Sequence, residues 1–196
     1  MERRLEIDGL RALAVIPIIF FHAGFDFFDG GFVGVDVFFV ISGYLITRII
    51  LTELKNESFS LTNFYERRIR RILPALYLVV IVSIPLAWLS LEPNSMRDFS
   101  QSLVAISIFS TNILFWVERG YFDTAAEFKP LLHTWSLAVE EQFYLFFPVF
   151  LLVVWRFLKR RLLDSLIIIC VFSFTLAELL VHSDSVAAFY LFRRVH

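Results

Sequence analysis

Apolar runs of about twenty residues recur along this chain, and that length is what a helix needs to cross a bilayer. They cover approximately Asp8–Phe25, Val35–Leu54, Pro74–Leu91, Phe99–Val117, Trp135–Phe157 and Leu162–Val181. Hydrocarbon holds no water, so a spanning segment must satisfy every backbone N–H and C=O internally. Runs this long do so as helices. The expected fold is all-α: a polytopic membrane protein with about six hydrophobic helices. Composition agrees, with 58% hydrophobic residues and 24 Phe, against about half apolar in soluble domains. Net charge is -1, so charges matter by location rather than by sum. The single cysteine, Cys170, excludes an internal disulfide framework and reads as a small apolar residue. Arg3 and Arg4 precede the first run as in a signal peptide. No small-x-small cleavage site follows, so this run reads as an uncleaved first membrane helix.

The first run holds Arg11 and His22. Eleven steps of about 100° bring them back to one helix face, about 16 Å apart along the axis. Asp8, Val15 and Ile18 complete that face, which should look inward, because an ionisable group in lipid is costly and is functional by default. Pro17 should bend the helix near His22. The link Asp26–Gly34 is acidic and aromatic without Lys or Arg, as an external turn would be. On the second run Asp36, Gly43 and Thr47 share a face. Ser42 and Gly43 either permit close helix approach or face substrate.

From Arg48 to Arg71 the chain turns basic, which marks a cytoplasmic loop. Asn63–Leu73 reads as an interfacial amphipathic helix with an N-cap at Leu61–Asn63 and Glu66 closing a capping box. The third helix then starts at Pro74. The fourth run carries Ser100, Gln101, Ser102, Ser107, Ser110, Thr111 and Asn112, and is a weak span. A mixed-charge loop with Tyr121, Phe122 and Phe128 leads to the fifth run, where Ser136, Glu140 and Tyr144 share a face and Glu140 and Glu141 stand side by side. That run ends at Arg156, Lys159, Arg160 and Arg161. Val186–Phe192 is too short to span, and the chain reads as a piece of a longer protein. With Arg3 and Arg4 cytoplasmic, Arg156–Arg161 reaches the cytoplasm only if the fourth run enters and leaves on one side. Otherwise the positive-inside rule fails here. The fourth run's polarity favours the first choice, which places Glu118–Thr134 outside.

Two chemistries suit these groups. Arg67, Arg68, Arg70 and Arg71 before Pro74 either anchor the chain to anionic lipid or clamp phosphates of a donor such as a nucleotide thioester, with Arg11 able to join them. His22 could act as a general base toward an acceptor hydroxyl. Asp36 or the Glu140–Glu141 pair would be its orienting acid. Alternatively the glutamates form a structural ion pair with an arginine of another helix. His133, His182 and His196 are too dispersed for a metal site. The glycines at 30, 31 and 34 lack the Lys-Ser/Thr of a phosphate loop, and no nucleic-acid module is visible.

Four motifs in order carry a resemblance. They are Glu6–Ala12 through His22, Gly31–Leu45 containing Phe38-Phe39-x-x-Ser42-Gly43, Phe64–Pro74 containing Arg67-Arg68-x-x-Arg71, and His133–Tyr144. Together they resemble the acyltransferase-3 family of integral-membrane O-acyltransferases, over nearly the whole chain. The resemblance implies that residues 1–196 are the N-terminal part of a membrane acyltransferase domain in a bacterial cytoplasmic membrane, with the N-terminus cytoplasmic. It implies acyl-CoA, in the first instance acetyl-CoA, as donor substrate with no bound cofactor. The acceptor would be a hydroxyl of a cell-surface carbohydrate such as O-antigen lipopolysaccharide or peptidoglycan. His22, Asp36, Glu140 and Glu141 are then the catalytic candidates, and Arg11, Ser42, Gly43, Arg67, Arg68 and Arg71 the acyl-CoA-binding ones. Members have further helices, and many carry an SGNH-type domain. The rival classes are a proton-coupled exporter, which would use the same His and Glu residues as a relay, and a non-catalytic membrane scaffold.

Overall fold

A computed structural model of the protein describes residues 5–118 and 129–183. The stretch containing Tyr121, Phe122 and Phe128 and the one from Val186 onward lie outside the described residues. The described chain is helical and divides into two compact units, one ending at Ser58 and the other beginning at Phe59. Three helical stretches, Asp26–Lys55, Leu61–Ser90 and Thr134–Leu180, are long and apolar enough to cross a bilayer.

The first unit pairs α1 (Leu5–His22) with α2 (Gly34–Lys55) through a 3-10 segment, Asp26–Val33. Glycine sets their spacing. A Cβ on Gly34 would lie 2.1 Å from the Ala14 carbonyl oxygen, and one on Gly31 would lie 2.2 Å from that of Pro17. Backbone packs on backbone there, and Ala14 is buried at the contact. Of the two readings of Ser42–Gly43, close helix approach is realised at Gly31 and Gly34 rather than at Gly43. Ser42 is buried, but a Cβ on Gly43 would meet nothing within 4 Å.

The second unit opens with α3 (Leu61–Ser90), which corrects two expectations. There is no separate interfacial helix, because one helix runs unbroken through Pro74. Proline removes a single N–H, and the carbonyl it orphans belongs to exposed Arg70, where water can take over. The cap is Ser60, whose hydroxyl accepts from the Asn63 N–H; Glu66 pairs with Arg70 at 2.6 Å instead of closing a box. At about 45 Å, α3 is longer than hydrocarbon is thick, so its exposed basic start projects beyond the span.

The fourth apolar run is two helices, α4 (Pro93–Ser107) and α5 (Thr111–Glu118). Neither reaches the roughly 30 Å of a hydrocarbon core. The break falls at Phe109, a left-handed residue with φ 50. The serines that make the run polar are absorbed locally: Ser100, Ser102 and Ser107 donate to the carbonyls of Met96, Asp98 and Val104 at 2.8, 3.0 and 2.6 Å. Phe99 and Ile106 of α4 pack with Leu76, Ala87 and Leu131. Then α6 (Thr134–Leu158) buries a stripe through Trp135, Ala138, Tyr144, Pro148, Leu151 and Val154. A 3-10 turn, Lys159–Arg161, separates it from α7 (Leu162–Ser183), an apolar helix whose side chains through Leu180 include no buried one.

Replacing Gly34 with alanine should lower the thermal midpoint of helix loss in detergent, at a cost of about 1–3 kcal/mol or more from overpacking. Gly43→Ala should leave it unchanged or raise it, since alanine is the better helix former in open space. Equal effects would show that the α1–α2 contact does not set stability.

Candidate functional site

In the first unit the inward stripe of α1 centres on Ala14, with Asp8, Arg11 and Ile18 half-buried beside it and Val15 and His22 exposed at its edge. The Arg11 guanidinium lies 5.8 Å from the Phe38 ring centre, within cation–π range. With Gly34 at Ala14 and Gly31 at Pro17, this contact fixes an antiparallel register. Asp36 then falls between the levels of Ala14 and Arg11, and His22 stands about 14 Å further along α1. The structure thus brings Asp36 to the level of Arg11 rather than to that of His22.

His22 ends α1, and its Nδ1 lies 2.8 Å from the Ile18 carbonyl oxygen. A carbonyl only accepts, so Nδ1 carries the hydrogen. The lone pair of the neutral ring is then on Nε2, the nitrogen a general base would use. The Phe21 ring packs edge-on against the imidazole at 5.0 Å.

In the second unit the basic motif of α3 does not act as one patch. Arg67 and Arg71 are exposed, Arg70 is held by Glu66, and Arg68 is half-buried. The Arg68 guanidinium lies 5.1 Å from the Tyr144 ring centre and 5.6 Å from that of Phe64, close enough to Glu140 and Glu141 to interact with both charges. Tyr144, almost fully buried, donates its hydroxyl to Glu140. The i, i+4 spacing read from the sequence is realised here. Tyr65 fixes the α3–α6 contact by donating to the Leu145 carbonyl at 2.8 Å. One cation, two carboxyl groups and a phenol thus meet between α3 and α6. A phenol bonded to a carboxylate gives a proton a direct route between the two.

Sequence reading missed the groups that hold this turn of α6. Gln142 donates to the carbonyl of Phe109 at 2.9 Å and to Asn112 Oδ1 at 3.0 Å, and Asn112 returns a bond at 3.3 Å. The carbonyl freed by the helix break is satisfied by the residue next to Glu141. Asn112 was visible only as one of many polar residues in a weak span, and only the break reveals its partner. Lys129 and Glu118, both nearly buried, form an ion pair at 2.6 Å at the end of α5.

All of these residues fall inside one match: the profile of an acyltransferase domain family, acyltransferase 3, covers residues 4–192. The chain belongs to this family. It is 44% identical over 165 residues to the peptidoglycan O-acetyltransferase OatA of Listeria monocytogenes, covering 83% of this chain and 26% of the relative. It is 39% identical over 171 residues to a putative peptidoglycan O-acetyltransferase, YrhL, of Bacillus subtilis, covering 84% of this chain and 27% of the relative. A putative O-acetyltransferase of Staphylococcus aureus is 40% identical over 156 residues, covering 79% and 26%. The chain spans about a quarter of the length of these relatives. No solved structure matches it. Family membership and the long apolar helices together make this a multi-pass membrane protein.

Within this acyltransferase domain, Arg68→Ala should take the nearby cation away from Glu140 and Glu141, remove its packing on Tyr144 and Phe64, and destabilise the fold by up to about 3 kcal/mol. Arg70→Ala, which removes an exposed pair, should cost at most about 1 kcal/mol. Adding Glu141→Gln to Arg68→Ala should recover part of the loss. Thermal unfolding in detergent measures all three, and equal midpoints for the two arginine variants would refute the coupling. Gln142→Leu should cost about 1–3 kcal/mol in the same assay, because the Asn112 amide and the Phe109 carbonyl lose their partner.

Proposed function

We propose that this chain is the N-terminal part of a membrane O-acyltransferase that moves an acetyl group from acetyl-CoA, used from the cytoplasmic side, to a hydroxyl of a cell-envelope carbohydrate. The observation that carries the reading is the family match across residues 4–192, with relatives named for peptidoglycan O-acetylation. Those names favour peptidoglycan over lipopolysaccharide as the acceptor. The chemistry is a transesterification: the acyl carbon leaves the thioester sulfur and bonds to the acceptor oxygen, and the proton of that hydroxyl ends on the released thiol.

Within this reading His22 takes the acceptor proton through Nε2, its ring set by the Ile18 carbonyl. Exposed Arg67 and Arg71 are the proposed contacts to the donor's phosphates, whereas Arg68 serves the glutamates of α6. Glu140, paired with Tyr144, and Glu141 beside it relay or hold charge as the acyl group passes. In the first unit Arg11, Ser42 and Gly43 are the further donor-binding candidates, and Asp36 is the acid that stands level with Arg11. Helices too short to cross at α4 and α5 fit a topology with the N-terminus and Arg156–Arg161 both in the cytoplasm, and with the inner membrane as the setting.

His22→Ala should abolish ester-linked acetate on the cell's peptidoglycan, measured by mass spectrometry, with protein level intact. Unchanged acetate would end His22's role, and acetate identical in cells lacking the gene would end the enzyme reading. Arg67→Ala with Arg71→Ala should raise the acetyl-CoA KM about tenfold, as expected for losing charge-assisted phosphate contacts. An unchanged KM would assign those arginines to the membrane surface.

A further inference from the structure

We propose that the junction between α6 and α7 is a binding surface for anionic phospholipid headgroups. Four cations, Arg156, Lys159, Arg160 and Arg161, fall within its two short turns, and all four are exposed. None forms an ion pair among the described residues, in contrast to Arg70 on α3, which Glu66 neutralises. Asp164 is the one acid within this turn and the start of α7.

The surroundings say which phosphate source suits the cluster. Phe157, Leu158 and Leu163, interleaved with the cations, are 73%, 48% and 70% exposed. A water-borne phosphate offers those side chains nothing, whereas a lipid brings acyl chains for them and a phosphate for the cations together. Lys159 is held over the Trp155 ring at 4.5 Å. That stacking aims its charge beside an indole, the side chain enriched where headgroups meet hydrocarbon.

The depth of the junction follows from the same charges. Helical geometry is interrupted at Leu158 (φ -131, ψ 29), and the 3-10 turn carries Lys159, Arg160 and Arg161. Four cations do not remain in hydrocarbon. The junction therefore sits at a membrane surface, and α6 and α7 are separate crossings although their hydropathy is continuous.

The test uses the purified chain in neutral detergent, titrated with dioleoylphosphatidylglycerol or dioleoylphosphatidylcholine, with lipid adducts counted by native mass spectrometry. Phosphatidylglycerol adducts should form at least tenfold more readily. Lys159→Gln with Arg160→Gln should cut them by roughly tenfold or more, at about fivefold per cation, with helix content by circular dichroism unchanged. Arg70→Gln, a cation already neutralised, should leave them as they are. Equal adducts from the two lipids would overturn the proposal, as would retention in the double variant. So would displacement of phosphatidylglycerol by millimolar inorganic phosphate or coenzyme A, which would assign the cluster to a soluble anion. If the double variant loses helix, Trp155→Leu with the cations retained replaces it: weaker phosphatidylglycerol binding upholds the surface, and unaltered binding refutes it.

Discussion

A bilayer core offers no water to polar groups, and the polar groups of this chain are arranged around that scarcity. Hydroxyls on α4 turn back onto their own carbonyls. The carbonyl released at the α4–α5 break is taken up by Gln142. Arg68 does not reach out from α3 but turns toward Glu140, Glu141 and two aromatic faces. In hydrocarbon an unmet polar group costs several kcal/mol. The polar contacts are therefore as much a specification of the fold as the apolar stripes, which lipid would solvate in any case.

This explains what could be read from sequence. Run length and composition gave the helices, because a spanning segment has few alternatives. The Glu140–Tyr144 spacing predicted a contact that forms, since i, i+4 geometry is local. The start of α3 was misplaced at Pro74 because proline usually begins or breaks a helix, and only the exposure of Arg70 shows why it does neither here. The fourth run reads as one helix by hydropathy, but hydropathy is blind to a left-handed residue at Phe109.

The site was partly legible for the same reason. The inward face expected to hold Asp8, Arg11, Val15, Ile18 and His22 is half-buried at Asp8, Arg11 and Ile18 but exposed at Val15 and His22, and sequence has no access to the register between α1 and α2. Gly31 and Gly34 fix that register by contact with carbonyls of α1, and it sets Asp36 level with Arg11. The four arginines before Pro74 look equivalent in sequence. The fold half-buries Arg68 near the glutamates, pairs Arg70 with Glu66, and keeps Arg67 and Arg71 exposed.

The continuity of α3 through Pro74 has a mechanical consequence. A break there would let the basic segment settle flat on the membrane whatever the span did. An unbroken helix makes Leu61–Arg71 a stiff arm of about 15 Å. A tilt of about 20°, ordinary for a membrane helix, swings its tip sideways by about 5 Å. Bilayer thickness, by setting that tilt, also sets where Arg67 and Arg71 present their charge.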